Sequence, residues 1–195
     1  MTLILRAECG TPVDADPARW LAAPGPEERR LLARATGPVL DVGCGPGRHV
    51  AALDGVGVPV LGIDITPAAV RLGRARGGLI LQQSVFDSLP GEGRWATALL
   101  LDGNIGIGAD PVALLTRLGC LLRPGGQVLA ETERSGPATT RLRVRLEHRG
   151  QAGPKFDWIG IGADQVGAAA AAAGLLLEES WCDAGRWFAC LRRPA

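Results

Sequence analysis

The stretch VLDVGCGPGRHV, residues 39–50, restricts what this chain can fold into more than any other part of it. A short apolar run passes into glycines at 43, 45 and 47 and then into the start of a helix. Glycines at a strand-to-helix turn let the backbone approach a ligand with no side chain in between. The spacing is GxGxG, not the GxGxxG of dinucleotide sites, and Asp41 stands on the strand just ahead of it. A carboxylate there is unfavourable beside a pyrophosphate and favourable beside a cation. A second acid, Asp64, ends the next apolar run in LGIDIT, close to the ~20 residues after the loop at which a ribose-binding acid is expected. Such a carboxylate accepts hydrogen bonds from both ribose hydroxyls. The implied ligand carries a ribose, accepts negative charge nearby and needs no phosphate.

From Pro38 onward, short apolar runs alternate with helix-like segments, the pattern of a parallel sheet covered by helices on both faces. The strands read as PVLDVG, PVLGID, LILQQ, ATALLLD and GQVLAETE. Thr66-Pro67 and Asp110-Pro111 open two helices through a polar cap followed by proline, and RPGG at 123–126 ends the second helix and turns the chain into the next strand. RLRVRLEHRG, from 141, alternates arginine with apolar residues and reads as a strand with one solvated face. ADQVGAAAAAAG reads as a helix ended by Gly174, and LLLEESWC and RWFACLRR as a terminal antiparallel hairpin. The expectation is an α/β fold with a Rossmann-like, doubly wound, mostly parallel seven-stranded sheet. One domain, residues 1–195, divides into an N-terminal cap segment (1–36, with a helix around EERRLLARA), a cofactor-binding core (37–133) and an acceptor-side insert with the hairpin (134–195).

VLDVGCGPG, then GIDIT, then LLRPGG before a strand resembles the class I S-adenosylmethionine-dependent methyltransferases, motif by motif over residues 38–133. The resemblance implies S-adenosylmethionine as cofactor and S-adenosylhomocysteine as product. It implies that Gly43, Cys44, Gly45 and Gly47 line the methionine and ribose portion, that Asp41 helps fix the ammonium group, and that Asp64 and Ile65 hold the ribose. The chain departs from the family pattern where an acid commonly meets the adenine amino group: LQQSVFDSLP has Ser84 there, with Asp87 three residues on. Either Ser84 and Val85 meet the adenine edge or Asp87 reaches round; the first is favoured, with Phe86 on or near the base, or else ordinary core.

The apolar strand ATALLLD ends in DGNIGIG. Ligands of such sheets bind at the carboxyl ends of the strands, near the point where strand order reverses, so Asp102 and Asn104 are expected beside the methyl-donating end of the cofactor. Asp102 would stabilise positive charge or accept a proton, and Asn104 would orient an acceptor hydroxyl or amine. Both residue types also favour turns. His49, in GRHV, is a candidate base or a packing residue, and Trp20, Trp158 and Trp187 are candidates for an acceptor pocket or for the core.

A formal net charge of +1 supplies no field for nucleic acid or anionic membrane, and the arginines of 141–149 lack interleaved aromatics for base stacking. The expected partner is a small-molecule methyl acceptor, with the protein a monomer or homodimer. The five cysteines form no CxxC pair, so reduced thiols and a cytoplasmic location are expected; no apolar run approaches a membrane span, and no third ligand joins Asp102 and Asn104 to suggest a metal. Two other classes stay in view: a methyltransferase fold with cyclase-like chemistry or a partner-binding role, and a nicotinamide oxidoreductase, against which the loop spacing and Asp41 both argue.

Overall fold

A computed structural model describes residues 3–7, 17–136, 142–148 and 151–195. The main sheet contains β2 (Val39–Val42), β3 (Val60–Asp64), β4 (Ile80–Gln82), β5 (Trp95–Leu100), β6 (Leu122–Thr132), β9 (Leu176–Asp183) and β10 (Arg186–Arg192), in the order β4-β3-β2-β5-β6-β10-β9. The first five are mutually parallel, whereas β10 runs antiparallel to both β6 and β9. This is the seven-stranded sheet and terminal hairpin expected from the sequence. Strand order reverses between β2 and β5, which opens a crevice at their carboxyl ends.

The central strands are mostly apolar because both faces are covered, and every residue of β2, β3 and β5 is buried, including the polar Asp41, Asp64 and Thr97. One face packs against α5 (Pro111–Leu121) and α6 (Val166–Ala172) through Leu40, Leu100, Leu114, Leu118 and Val166. The other packs against α2 (Pro26–Leu32) and α3 (Arg48–Asp54) through Leu31, Val50, Leu53, Leu99 and Phe188. α4 (Pro67–Ala75) follows β3, with Val70 in that second cluster. α5 starts as the sequence suggests: the Asp110 carboxylate accepts from the Ala113 N–H at 2.9 Å, and proline occupies the first turn.

RPGG does not sit between helix and strand. Helix α5 passes directly into β6, and the segment bulges inside that strand: Trp95 faces Leu122 while Thr97 faces Gln127, with Gly125 at a φ of 70°.

A second sheet was not foreseen. β1 (Leu3–Ala7), β7 (Leu142–His148) and β8 (Gln151–Trp158) form three antiparallel strands in the order β1-β7-β8. The N-terminal segment, which also supplies α1 (Pro17–Leu21), thus joins β7 and β8 in one sheet. Arg143 is exposed and Val144 buried, as the alternation in this strand requires; Arg141, Arg149, Gly150 and Cys9 lie outside the described residues. The sheet is tied to the main one where Ile107 bridges Trp158 and Glu133 bridges Gly162.

Candidate active site

A cavity of about 480 Å³ lies at the carboxyl ends of the parallel strands, within the usual range for small-molecule sites. The glycine loop forms its floor. Gly43 and Gly45 have φ of 69° and 54°, a region closed to most side chains, and the N–H groups of Gly43 and Cys44 both bond to the Ile63 carbonyl. A Cβ at Gly45 would meet nothing within 4 Å, so the backbone there is bare to the cavity. Gly47 is different: a Cβ would strike Ile80 Cδ1 at 2.7 Å, so this glycine packs the loop onto β4 and does not line the cavity.

Asp64 closes the loop from the next strand. Its Oδ2 accepts from the Gly45 N–H at 2.9 Å and its Oδ1 from the Thr66 N–H at 2.7 Å. Burial pushes its pKa up against those two hydrogen bonds. A carboxylate has about four acceptor positions, so acceptor capacity remains for a ligand beyond the contacts from Gly45 and Thr66. Ile65, Ser84, Val85 and Phe86 continue the wall. The Asp87 carboxylate turns back to accept the Ser84 N–H at 3.0 Å, and Asp87 does not line the cavity.

The stretch DGNIGIG explains itself by contacts. Asp102 has a φ of 55°, held by its N–H donating to Glu131 Oε2 at 2.8 Å, while both its carboxylate oxygens accept from Arg48 Nη2 at 2.8 Å. Asn104 reaches back beneath the loop, its amide donating to the carbonyls of Val42 and Gly43, each at 2.9 Å. Its donor hydrogens thus brace the floor and do not point at an acceptor. A Cβ at Gly103 would strike the Trp158 ring, one at Gly106 would overlap the Ile159 backbone, and one at Gly108 would press on Phe86. Trp158 Nε1–H donates to the Gly103 carbonyl at 2.9 Å, and Ile159 N–H to Gly106. Each glycine marks a place where the second sheet or the loop after β4 closes on this turn.

Asp41 and His49 stand behind the loop and line no part of the cavity. His49 Nδ1 lies 3.9 Å from Asp41 Oδ2 and its Nε2 lies 3.7 Å from Glu28 Oε1, both beyond hydrogen-bond length. The two atoms Asp41 Oδ2 and His49 Nε2 are buried without a hydrogen-bond partner. Burial raises the Asp41 pKa to about 6, with Asp102 and Asp64 also raising it and His49 and Arg48 lowering it. Placement thus departs from the expectations of an ammonium contact for Asp41 and a base for His49. Both point into the packing between α3 and β2. Trp20 and Trp158 line the cavity; Trp187, on β10, does not.

The sequence reading missed an ionic cluster at the cavity rim. Glu28, 1% exposed, accepts from Arg48 at 2.6 and 2.7 Å, from Arg186 at 2.8 Å, from Arg19 at 2.9 Å and from the Gly25 N–H at 2.8 Å. Burial alone would raise its pKa; these donors and nearby His49 overcome that and hold it far below the usual carboxylate range. Arg186 also makes a two-pronged pair with Glu131 at 2.6 and 2.7 Å. Of the three arginines, Arg19 and Arg48 reach the cavity wall. Only the proximity of Arg48 to the glycine loop was visible as a signal in the sequence. Among the described residues, no group of three His, Cys, Asp or Glu side chains is placed to hold a metal ion, and no helix is long and apolar enough to cross a membrane.

Comparison with known proteins fits this geometry. Residues 39–126, from β2 through the RPGG bulge, match the family model described as a methyltransferase domain. This segment is similar to a methyltransferase domain. A ubiquinone biosynthesis O-methyltransferase of Xanthomonas euvesicatoria is 30% identical over 148 residues, covering 65% of this chain and 61% of the relative. One of Pseudomonas paraeruginosa is 33% identical over 135 residues, covering 64% and 54%. The chain therefore spans little more than half the length of these curated relatives. Among solved structures, an S-adenosylmethionine-dependent methyltransferase from Bacteroides fragilis in complex with S-adenosylhomocysteine superposes with a TM-score of 0.79 at 24% identity, over 99% of this chain and 88% of that one. The 1,6-didemethyltoxoflavin-N1-methyltransferase of Burkholderia thailandensis gives 0.64 at 22%, over 87% and 77%. The chain thus shares its fold with both.

Proposed function

We propose that this methyltransferase domain transfers a methyl group from S-adenosylmethionine to a small-molecule acceptor held beneath the second sheet. The observation that carries the reading is Asp64 on the cavity wall, joined to the bare Gly45 backbone at 2.9 Å: a ribose-binding acid and a glycine floor in one place. Bound there, S-adenosylmethionine supplies a methyl group on a positively charged sulfur, which leaves as a neutral thioether when an acceptor lone pair takes the methyl carbon.

The sheet sets the order of subsites. Strands lie ~4.8 Å apart, so the ends of β4 and β6, four spacings apart, are separated by about 19 Å. Ser84, Val85 and Phe86 after β4 take the adenine, and Asp64 and Ile65 ending β3 take the ribose. Gly43, Cys44 and Gly45 after β2 take the methionine portion, which leaves the ends of β5 and β6 for the acceptor. Arg19, the more exposed of the two lining cations, meets the cofactor carboxylate with its fork of N–H donors. Asp102 places negative charge beside the ammonium and sulfonium groups. Asn104 acts on the cofactor through the Gly43 carbonyl it braces. Residues 1–36 and 134–195 complete this one catalytic unit as cap and cover. Aligning acceptor and methyl group accounts for ~7–11 kcal/mol of the barrier, with Asp102 or bulk water receiving the acceptor's proton where there is one.

Calorimetric titration with S-adenosylhomocysteine tests the reading. The intact chain binds, and Asp64→Ala loses about tenfold or more in affinity, the scale of 1.4 kcal/mol or more for lost charge-assisted hydrogen bonds. An intact chain that does not bind, or a variant that binds equally well, overturns it.

A further inference from the structure

Glu28 lies behind the cavity wall, buried and lining no part of the cavity. Its place is set locally: it is the third residue of α2, and its carboxylate reaches back to accept the Gly25 N–H that precedes the helix. Onto the same carboxylate come Arg48 through both Nη atoms, Arg19 through Nη2 and Arg186 through Nη1. A carboxylate has about four acceptor positions, and these donors with Gly25 already fill them, so Glu28 has no capacity left for a ligand. Burial opposes its ionisation, yet His49, Arg48, Arg19 and the Gly25 N–H hold it well below the usual carboxylate range, so it keeps its charge in neutral solution.

What Glu28 holds does face the cavity. Arg19, Arg48 and Asp102 all stand in the wall. Arg48 Nη2 lies 2.8 Å from both Asp102 oxygens, and Arg19 Nη2 lies 3.4 Å from one of them. Side-chain exposure rises outward through the set, from 1% at Glu28 and 3% at Arg48 to 18% at Asp102 and 34% at Arg19. The hub is innermost, and the two groups a ligand can meet are one carboxylate and one guanidinium. By taking both Nη atoms of Arg48, Glu28 leaves Asp102 only a shared one, so Asp102 keeps negative character toward the cavity. By holding Arg19 it also fixes α1 against the core. Desolvation offsets most of the attraction in a buried ionic cluster, and apolar side chains would pack that space as well. What the charges add is direction.

Resting on the methyl-transfer reading above, we propose that Glu28 is a positioning residue for the amino-acid end of the cofactor. Through Arg48 and Arg19 it sets an anion, Asp102, and a cation, Arg19, side by side, to receive the ammonium and carboxylate groups together. The adenosine subsite does not depend on it. Asp64 is held by Gly45 and Thr66, and the segment after β4 by Arg117, which donates to the Val85 and Asp87 carbonyls.

S-adenosylhomocysteine and methylthioadenosine read the two subsites apart, since they share adenosine and a thioether and only the first carries an amino acid. Each is titrated by calorimetry into the parent chain and into Glu28→Gln, which keeps the shape and removes the charge. The affinity for S-adenosylhomocysteine falls by about fivefold or more, whereas that for methylthioadenosine stays within about twofold. A merely structural role would weaken both alike, as Asp64→Ala is expected to do. Arg19→Gln is the second variant, at a partly exposed position that the fold tolerates. It shows the same selective loss, and in the double variant the two losses combine to less than their product, because Glu28 acts in part through Arg19. Equal loss of both ligands in Glu28→Gln, loss of neither, or an Arg19→Gln chain that binds S-adenosylhomocysteine as the parent does each overturns the proposal. So does a parent that binds S-adenosylhomocysteine but not methylthioadenosine, since the adenosine subsite would then not stand apart from the cluster. Failure of the methyl-transfer reading is separately visible, as a parent chain that does not bind S-adenosylhomocysteine at all.

Discussion

Asp41 is buried to 1% exposure on a central strand, with one carboxylate oxygen lacking any hydrogen-bond partner. Its pKa is raised from 3.8 to about 6, first by burial, so between those pH values the folded chain holds a proton that the unfolded chain has lost. Stability therefore falls as pH rises through this window and levels off above it, by about 3 kcal/mol for this group. Asp41→Asn removes the effect: urea unfolding from pH 4.5 to 7 gives a variant whose stability relative to the parent rises with pH, and a constant difference would refute the assignment. Glu28 does not confuse the result, because its depressed pKa makes its contribution complete above about pH 4.5 and lost only in more acid solution. Asp102 poses a separate question, since its left-handed backbone and its charge are both unusual at a strand end. Asparagine tolerates that backbone, so Asp102→Asn isolates the charge. The expected result is weaker S-adenosylmethionine binding by about tenfold, with a smaller loss for uncharged-sulfur S-adenosylhomocysteine; equal losses for both would place the effect in Arg48 positioning instead.

The turn after β5 shows at the level of elements what could and could not be read from sequence. That a polar turn ends a buried strand was legible, as were the five parallel strands, because apolar runs, proline-opened helices and glycine turns are local signals. The reason for three glycines in seven residues was not legible, because each answers to a contact made elsewhere in the chain: Trp158, Ile159 and Phe86. For the same cause β1 was missed; five residues paired with β7, more than 130 residues away, carry no local mark of that pairing. Gly106 is the most demanding of these contacts, since a Cβ would overlap main chain that cannot rotate away. Gly106→Ala is expected to lower stability by about 1–3 kcal/mol, as overpacking does. It also loosens the join between β8 and the turn, so methyl transfer falls by more than S-adenosylhomocysteine affinity does. Thermal unfolding together with both ligand measurements checks this, and unchanged stability would mean the second sheet does not bear on the turn as described.

Across the whole molecule, the cavity lining from the glycine loop, Asp64 and Ser84 to Phe86 was legible because it lies in three short segments, whereas the ionic cluster was not, because it joins Glu28 to Arg186 across 158 positions with no periodicity to announce it. That cluster links α1, α2, α3, β6 and β10 at one end of the main sheet, so this side of the cavity is built into the core. The cover is built differently. Among the side chains described in β7 and β8, Val144 alone is fully buried, whereas β2, β3 and β5 are buried at every position. Local opening is governed by how much apolar surface an element buries, so the two sheets should open at different free energies. Native-state hydrogen exchange in the absence of ligand is expected to show amides of β7 and β8 exchanging through an opening well below the global unfolding energy, while those of β2 and β5 exchange only with it. Addition of S-adenosylhomocysteine should raise protection at the glycine loop and the turn after β5, and reach β8 through the Trp158–Gly103 hydrogen bond. Equal protection of β8 and β5 without ligand would make the cover part of the core, and the acceptor would then have to enter without the second sheet lifting.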